Sequence, residues 1–408
     1  MPDLQRRSCA SQRLRRCLAV LALLLCVGAA QAAERVALLT MGPGDEYWAR
    51  FGHNALMVFD DSGTATNYNF GFFDFEQPNF FTRFLRGHMT YQLVALPAER
   101  DLDYYRRSGR SVRVQWLNLS ADEREALAAD LARQAQPEHA EYRYDYFKAN
   151  CSTKVRDALD KVLGGIIRNQ IGSRSRGLSY RDEALRVGYP ERWMYLGMHF
   201  GLGIEADQAM TRWDEAYIPD RFVEAIALIR RADGTPLVAS EEEWLPQLVE
   251  AAPTSTPRFL TSAALIGFGL AGLILLFGRR PGFAGTASRC VLALLLLCCG
   301  VAGLLMSGLW AFTDHTAAWA NRNLLLFSPL APLLLGSLPA LARNRVVWAG
   351  WRWLALLHLI LGGIAIAAYF LPVQLRQDNL EWMLLMLPLL FAIYRLLSRA
   401  PMPAAADT

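Results

Sequence analysis

The sequence predicts an exported α+β domain followed by an all-α membrane domain of about five transmembrane helices. Three observations predict it. The N-terminus has the layout of an export signal, the middle of the chain mixes charge with many Trp and Tyr, and five apolar segments follow Pro257. The 408 residues are 53% hydrophobic and only 20% charged. That balance excludes a disordered chain or a small disulfide scaffold. A net charge of +4, spread along the chain, gives no footprint for nucleic acid.

Residues 1–33 carry Arg6, Arg7, Arg13, Arg15 and Arg16, then an apolar run from Leu18 to Ala30, then Ala30-Gln31-Ala32. This order fits a signal peptide cleaved near Ala32 or Ala33; an uncleaved anchor is the alternative. Cys26 suggests a lipoprotein signal, but Leu25 before it is too bulky. Residues 34–258 hold no apolar run of membrane length and are long enough for a substantial core. The apolar segments are 259–278, 290–312, 324–342, 354–371 and 380–397. Each approaches the ~20 residues that cross a bilayer as a helix. Arg279, Arg280 and Arg289 lie in the first connection, Arg343, Arg345 and Arg352 in the third, and Arg395 and Arg399 at the end. The second and fourth connections hold one Arg each, Arg322 and Arg376. Arginine-rich connections stay on the cytoplasmic side. The expected topology therefore has residues 34–258 outside, a membrane domain over 259–398 and a cytoplasmic tail over 399–408.

Of the seven cysteines, Cys9, Cys17 and Cys26 fall in the export segment and Cys290, Cys298 and Cys299 in or beside a span. Cys151 is alone in the exported domain, where structural cysteines normally pair. It follows Asn150, a good helix N-cap, and precedes Ser152 and the helically spaced Val155, Leu159 and Val162. A thiol at a helix N-terminus meets unpaired N–H groups and a positive dipole end. Both are expected to lower its pKa, and the same N–H groups suit an oxyanion. Asn150 and Ser152 are thus candidate supports of the nucleophile. The bland reading is a buried, inert thiol.

A thiol nucleophile needs a base. His53 opens a strand-like run, Phe51 to Phe59, followed by the turn Asp60-Asp61-Ser62-Gly63 and a returning strand over Thr64–Phe75. A hairpin closing around Asp61 sets His53 opposite Asn69, with Asn67 one step along the same face. Either Asn is a candidate to hold one ring nitrogen and leave the other for the thiol. His139 lies in a polar, helix-like stretch, His199 in a core or pocket, and His88 beyond the Phe-rich run. Phe70–Phe81 holds six Phe, read as strand core with a loop at 76–82 that touches lipid if exposed. Arg86, after it, is a candidate for steering an anionic head group. In the second membrane connection His315, Asn321 and Asn323, with Asp314 and Arg322, are candidates for shaping a lipid or acceptor site; a wet loop is the alternative. No metal motif, phosphate loop or Gly-x-Ser-x-Gly is present, and no cofactor is expected.

A strand-initial His, a polar residue on the next strand and Asn-Cys opening a helix resemble the permuted NlpC/P60 branch of the papain-like fold, to which lecithin:retinol acyltransferase belongs. The elements Gly52-His53-Asn54-Ala55-Leu56, Asn67-Tyr68-Asn69-Phe70-Gly71 and Asn150-Cys151-Ser152-Thr153, between an export signal and membrane spans, resemble the Lnb-type bacterial lipoprotein N-acyltransferases. The resemblance implies a papain-like exported domain in the bacterial inner membrane with His53 and Cys151 as the catalytic pair and Asn69 or Asn67 as the third member. It implies a thioester drawn from phospholipid and passed to an amine, the N-terminus of a diacylglyceryl lipoprotein. A hydrolase acting on peptidoglycan or phospholipid through the same pair, and a non-catalytic membrane module, are the rival expectations.

Overall fold

A computed structural model describes residues 35–401. The expected signal peptide and most of the tail lie outside the described residues. The N-terminal part is built on a seven-stranded antiparallel sheet: β1 (Val36–Met41), β2 (His53–Phe59), β3 (Ala65–Phe72), β4 (Thr90–Pro97), β5 (Val112–Leu117), β6 (Glu141–Arg143) and β7 (Val238–Leu245). Its strand order is β6-β4-β3-β2-β1-β5-β7. β2 lies at the centre, and every side chain of its neighbour β1 is buried. Alternate residues serve opposite faces, as the two-residue period of a strand requires.

Between β3 and β4 lies the short helix α1 (Phe80–Arg86); α2 (Ala98–Arg107) and α3 (Ala121–Gln134) follow β4 and β5. The next main helices are α4 (Cys151–Val162), α5 (Tyr180–Gly188), α6 (Arg192–Gly201) and α7 (Pro219–Ile226). Leu38, Leu56 and Phe70 pack with Val155 and Leu159 of α4, Leu127 and Leu131 of α3, and Phe222 and Ile226 of α7. Leu39, Met41, Ala55 and Met57 pack with Ala98 and Tyr105 of α2 on the other face. The sheet is thus covered on both sides, by α4 on one and α2 on the other.

Four helices beyond residue 258 are long and apolar enough to cross a membrane: α8 (Leu260–Phe277), α9 (Gly282–Phe312), α10 (Ala349–Tyr369) and α11 (Leu380–Ser398). The third of the five expected segments is not one long helix. It folds as the 3₁₀ turns Arg322–Leu325 and Ala331–Ser337 and the short helix Leu338–Ala342. Pro329, Pro332 and Pro339 explain the interruption, because each lacks the N–H of a regular helix.

This segment nonetheless runs the length of the bundle. At its start, Asn323 Nδ2 donates to Phe200 O in the sheet domain (2.9 Å). Just past its end, Arg345 O accepts from Arg279 Nη1 (3.1 Å), and the same guanidinium bonds Arg399 O (3.0 Å). A 3₁₀ rise of about 2.0 Å per residue lets such a chain cover the distance.

The sheet domain is clamped to the bundle by polar contacts. Arg258 pairs with Asp378 (2.7 Å) and with Glu381. Trp382 Nε1 donates to His199 Nδ1 (3.0 Å), and Asn321 Nδ2 to Phe200 O (2.9 Å).

Candidate active site

Asn150 is the N-cap of α4. Its side chain accepts from Thr153 N (3.0 Å), while Thr153 Oγ1 accepts from Asn150 N (2.8 Å), a complete capping box. Asn150 Nδ2 donates to Tyr217 O (2.8 Å), so the cap is anchored to the chain ahead of α7. Cys151 is the first helical residue and is partly exposed. Ser152 turns inward, and its hydroxyl donates to Asn54 Oδ1 (2.6 Å). That bond ties the start of α4 to β2 beside His53. Gly71 on β3 completes the wall: a Cβ there would sit 3.4 Å from Cys151 Cβ, and the Tyr142 hydroxyl lies 3.9 Å from the same point.

The hairpin differs from the expected register. Phe59 pairs with Ala65 and Leu56 with Tyr68, so the turn is centred on Ser62, one residue later than Asp61. Asp60 Oδ1 accepts from both Ser62 N and Thr64 N, which holds the wider loop. Continuing this register puts Gly71 opposite His53, and Asn69 lies two residues away on the same face. Even so, His53 Nε2 and Asn69 Oδ1 are 3.0 Å apart. Asn67 instead donates to Asp101 Oδ2 (2.9 Å).

Asp101 decides the tautomer. It lies on α2, across the sheet from α4, and is buried. Asn69 Nδ2 donates to its Oδ2 (3.1 Å), which fixes the orientation of the Asn69 amide. Oδ1 therefore faces the imidazole as an acceptor, so His53 Nε2 carries the proton and Nδ1 keeps its lone pair. Nδ1 is the nitrogen that can take a proton from a thiol. No hydrogen bond joins His53 to Cys151 in the resting structure. The two side chains flank Asn54, whose backbone N–H favours the Cys151 thiolate.

Burial dominates the electrostatics. It lowers the His53 pKa to about 4; the Arg110 charge adds to the lowering and the Asn69 hydrogen bond opposes it. Burial pushes the Cys151 thiol up, against the N–H groups of Asn54, Ser152 and Cys151 and the Arg110 charge. The expected depression of the thiol pKa is thus overridden by desolvation. At neutral pH the pair rests as thiol and neutral imidazole. Arg110 is itself buried and held by Gly42 O (2.8 Å). Asp101 and Arg110 are the residues that sequence reasoning missed. The one signal was the spacing of Asp101 and Tyr105, four residues apart, which puts both on the buried face of α2.

The remaining candidates lie elsewhere. His315 Nε2 is 3.0 Å from Phe84 O and its ring stacks on Tyr146. Arg86 O accepts from Asp314 N (2.8 Å), so Arg86 and His315 share the junction of α1 with the loop after α9. A cleft opens there, lined by Met89, Tyr144, Tyr146 and His315 among others. Asn321 and Asn323 are buried, and both donate to Phe200 O in the clamp between domain and bundle. Among the described residues no group of three or more His, Cys, Asp and Glu is placed to hold a metal ion.

Fold and site together define a sheet-based domain, carrying a cysteine at the first position of a helix and a half-buried histidine at the start of a neighbouring strand, joined to a bundle of apolar helices. Residues 29–179 match the family model described as the Lnb N-terminal periplasmic domain, so this part of the chain is similar to the periplasmic domain of the Lnb-type family. The matched segment contains His53, Asn69, Asp101, Arg110 and Cys151 and leaves the helical part outside it. No curated protein and no solved structure matches the chain.

Proposed function

We propose that the protein is a membrane-bound thiol acyltransferase, with a papain-like catalytic domain, that moves an acyl chain from phospholipid through a Cys151 thioester to an amine. The observation that carries this reading is the chain Asp101–Asn69–His53, which leaves Nδ1 of His53 unprotonated, one residue from the Asn54 N–H that faces Cys151 at a helix N-terminus.

His53 Nδ1 takes the thiol proton as sulfur attacks the ester carbonyl. The N–H groups of Cys151 and Ser152, with that of Asn54, stabilise the oxyanion. The C–O bond then breaks, and the imidazolium returns its proton to the departing lysophospholipid alkoxide. In the second half an amine attacks the thioester, the C–S bond breaks, and the amine proton passes through His53 to sulfur. The neutral resting pair suits this cycle, because proton transfer and attack occur together. By family, the acceptor is the N-terminal amino group of a diacylglyceryl lipoprotein. Both substrates are confined to a bilayer, which accounts for the attached bundle.

The proposed organisation is a signal peptide over 1–33, a periplasmic catalytic domain over 34–258 and five membrane crossings over 259–398, with the C-terminus in the cytoplasm of a bacterium. Its support is the gathering of Arg279, Arg345 and Arg399 at the end of the bundle away from the sheet domain. The test is an intact-mass measurement after incubation with phospholipid. One acyl group should be gained on Cys151, and Cys151→Ala should gain none. Normal lipoprotein modification by Cys151→Ala would refute the proposal.

A further inference from the structure

α1 exposes apolar side chains although it is short and sits outside the bundle. Phe81 is 70% exposed and Leu85 51%. Phe84 is partly exposed and packs on Phe80 and His315. The surface continues through Phe75, which touches Phe80 and Trp48, to Tyr47 and Trp193. Trp193 is 62% exposed. Contiguous aromatic surface of this kind marks an interaction site.

Its position fixes the partner. Gly87, which ends α1, packs directly on Asp314, and a Cβ there would come within 2.9 Å of the Asp314 carbonyl carbon. Asp314 stands two residues beyond α9, whose last residue, Phe312, is 82% exposed as a lipid-facing residue would be. At the other end of the surface, Trp193 lies in the first turn of α6, two residues before Tyr195, whose hydroxyl donates to Pro257 O (2.6 Å) and whose ring packs on Phe259, immediately ahead of α8. Both ends are therefore tied to the spans at one level, where Trp and Tyr of membrane proteins concentrate.

We propose that Phe81, Phe84, Leu85, Phe75, Trp48 and Trp193 form a shelf immersed in the outer surface of the phospholipid bilayer, along which a lipid acyl chain approaches Cys151. The immersion stands on its own, whereas the role in delivering the chain rests on the acyl-transfer reading. The route is short. Gly71 touches Cys151 and Phe75 is on the shelf, so four residues separate them, at most roughly 14 Å of extended chain. Phe73, Tyr91 and Tyr144 line this stretch with packed rings, tilted at 5.0 Å and stacked at 4.0 Å between centroids.

The full-length protein would be reconstituted in vesicles of phosphatidylethanolamine and phosphatidylglycerol doped with a lipid carrying a diazirine in its acyl chain. After illumination, labelled peptides would be mapped by mass spectrometry. The expected result is label on 79–86 and on Trp193 as well as on the spans, none on Trp244 of the opposite sheet edge, and loss of the 79–86 label in a Phe81→Asp, Leu85→Asp protein. Label confined to 260–398 would overturn the proposal and leave the surface to a protein partner or a second copy. Labelling needs no turnover, so a labelled but inactive protein would refute acyl transfer and keep the shelf.

Discussion

Asp101→Asn isolates the part of the site that acts through charge. The imidazolium formed during attack is separated from the Asp101 carboxylate by two hydrogen bonds, of 3.0 and 3.1 Å, and the Asn69 amide between them. Those lengths put the two charges roughly 8 Å apart, worth about 2 kcal/mol at an effective dielectric near 20. A loss of that size slows the step about 30-fold. The substituted amide keeps a carbonyl to accept from Asn67 and Asn69, so the fold should hold. The assay is kcat and KM for acyl transfer, with thermal unfolding as the control for folding. The expected outcome is a fall in kcat at constant KM, and an acid limb moved to lower pH because the imidazolium has lost its counter-charge. Asp101→Ala should add a drop in unfolding temperature, since two buried amide donors lose their acceptor at about 1–3 kcal/mol each. A kcat within twofold of the parent for Asp101→Asn, with an unmoved acid limb, would refute the reasoning.

Three further outcomes are expected, two at the same site and one at the junction with the bundle. The His53 pKa is lowered to about 4, so its base form persists down to that range, and activity should stay level from neutral pH until it falls as His53 protonates near pH 4. Burial raises the Cys151 thiol, so alkylation by a neutral reagent should keep rising with pH past the usual thiol range; a rate already saturated at pH 7 would contradict the neutral pair. Gly87→Ala meets both a left-handed backbone (φ 76°) and the Asp314 backbone, so α1 should separate from the loop after α9. Proteolysis within 76–90 should then speed up, and an unchanged rate would count against a rigid junction.

Much of the site was legible because its signals are local. Asn150 beside Cys151 with Thr153 three residues on is a capping pattern, and caps depend on neighbours in sequence. His53-Asn54 followed by the unbroken apolar run Ala55–Phe59 marks the start of a buried strand for the same reason. The partner of His53 was narrowed to Asn69 or Asn67, yet the assumed register was displaced, because the length of the turn depends on how Asp60 folds over Ser62 and Thr64. Asp101 was not legible, since its role exists only once β3 and α2 pack together. The direction of the thiol shift was misjudged for a related reason: a helix N-terminus is visible in sequence, but the depth of its burial is set by the whole sheet. In the membrane part, four of the five apolar segments marked by hydropathy fold as long apolar helices. The third folds as 3₁₀ turns and a short helix, because its three prolines interrupt a regular helix, while it still traverses the bundle.

The most direct test of the central claim is the mass of Cys151 itself. Purified protein would be mixed with phospholipid in the absence of any amine, quenched in acid and digested. The account predicts an acyl group on the peptide bearing Cys151 that neutral hydroxylamine removes, as a thioester requires, and that is absent from His53→Ala. An unmodified Cys151, or an acyl group on another residue that resists hydroxylamine, would contradict it.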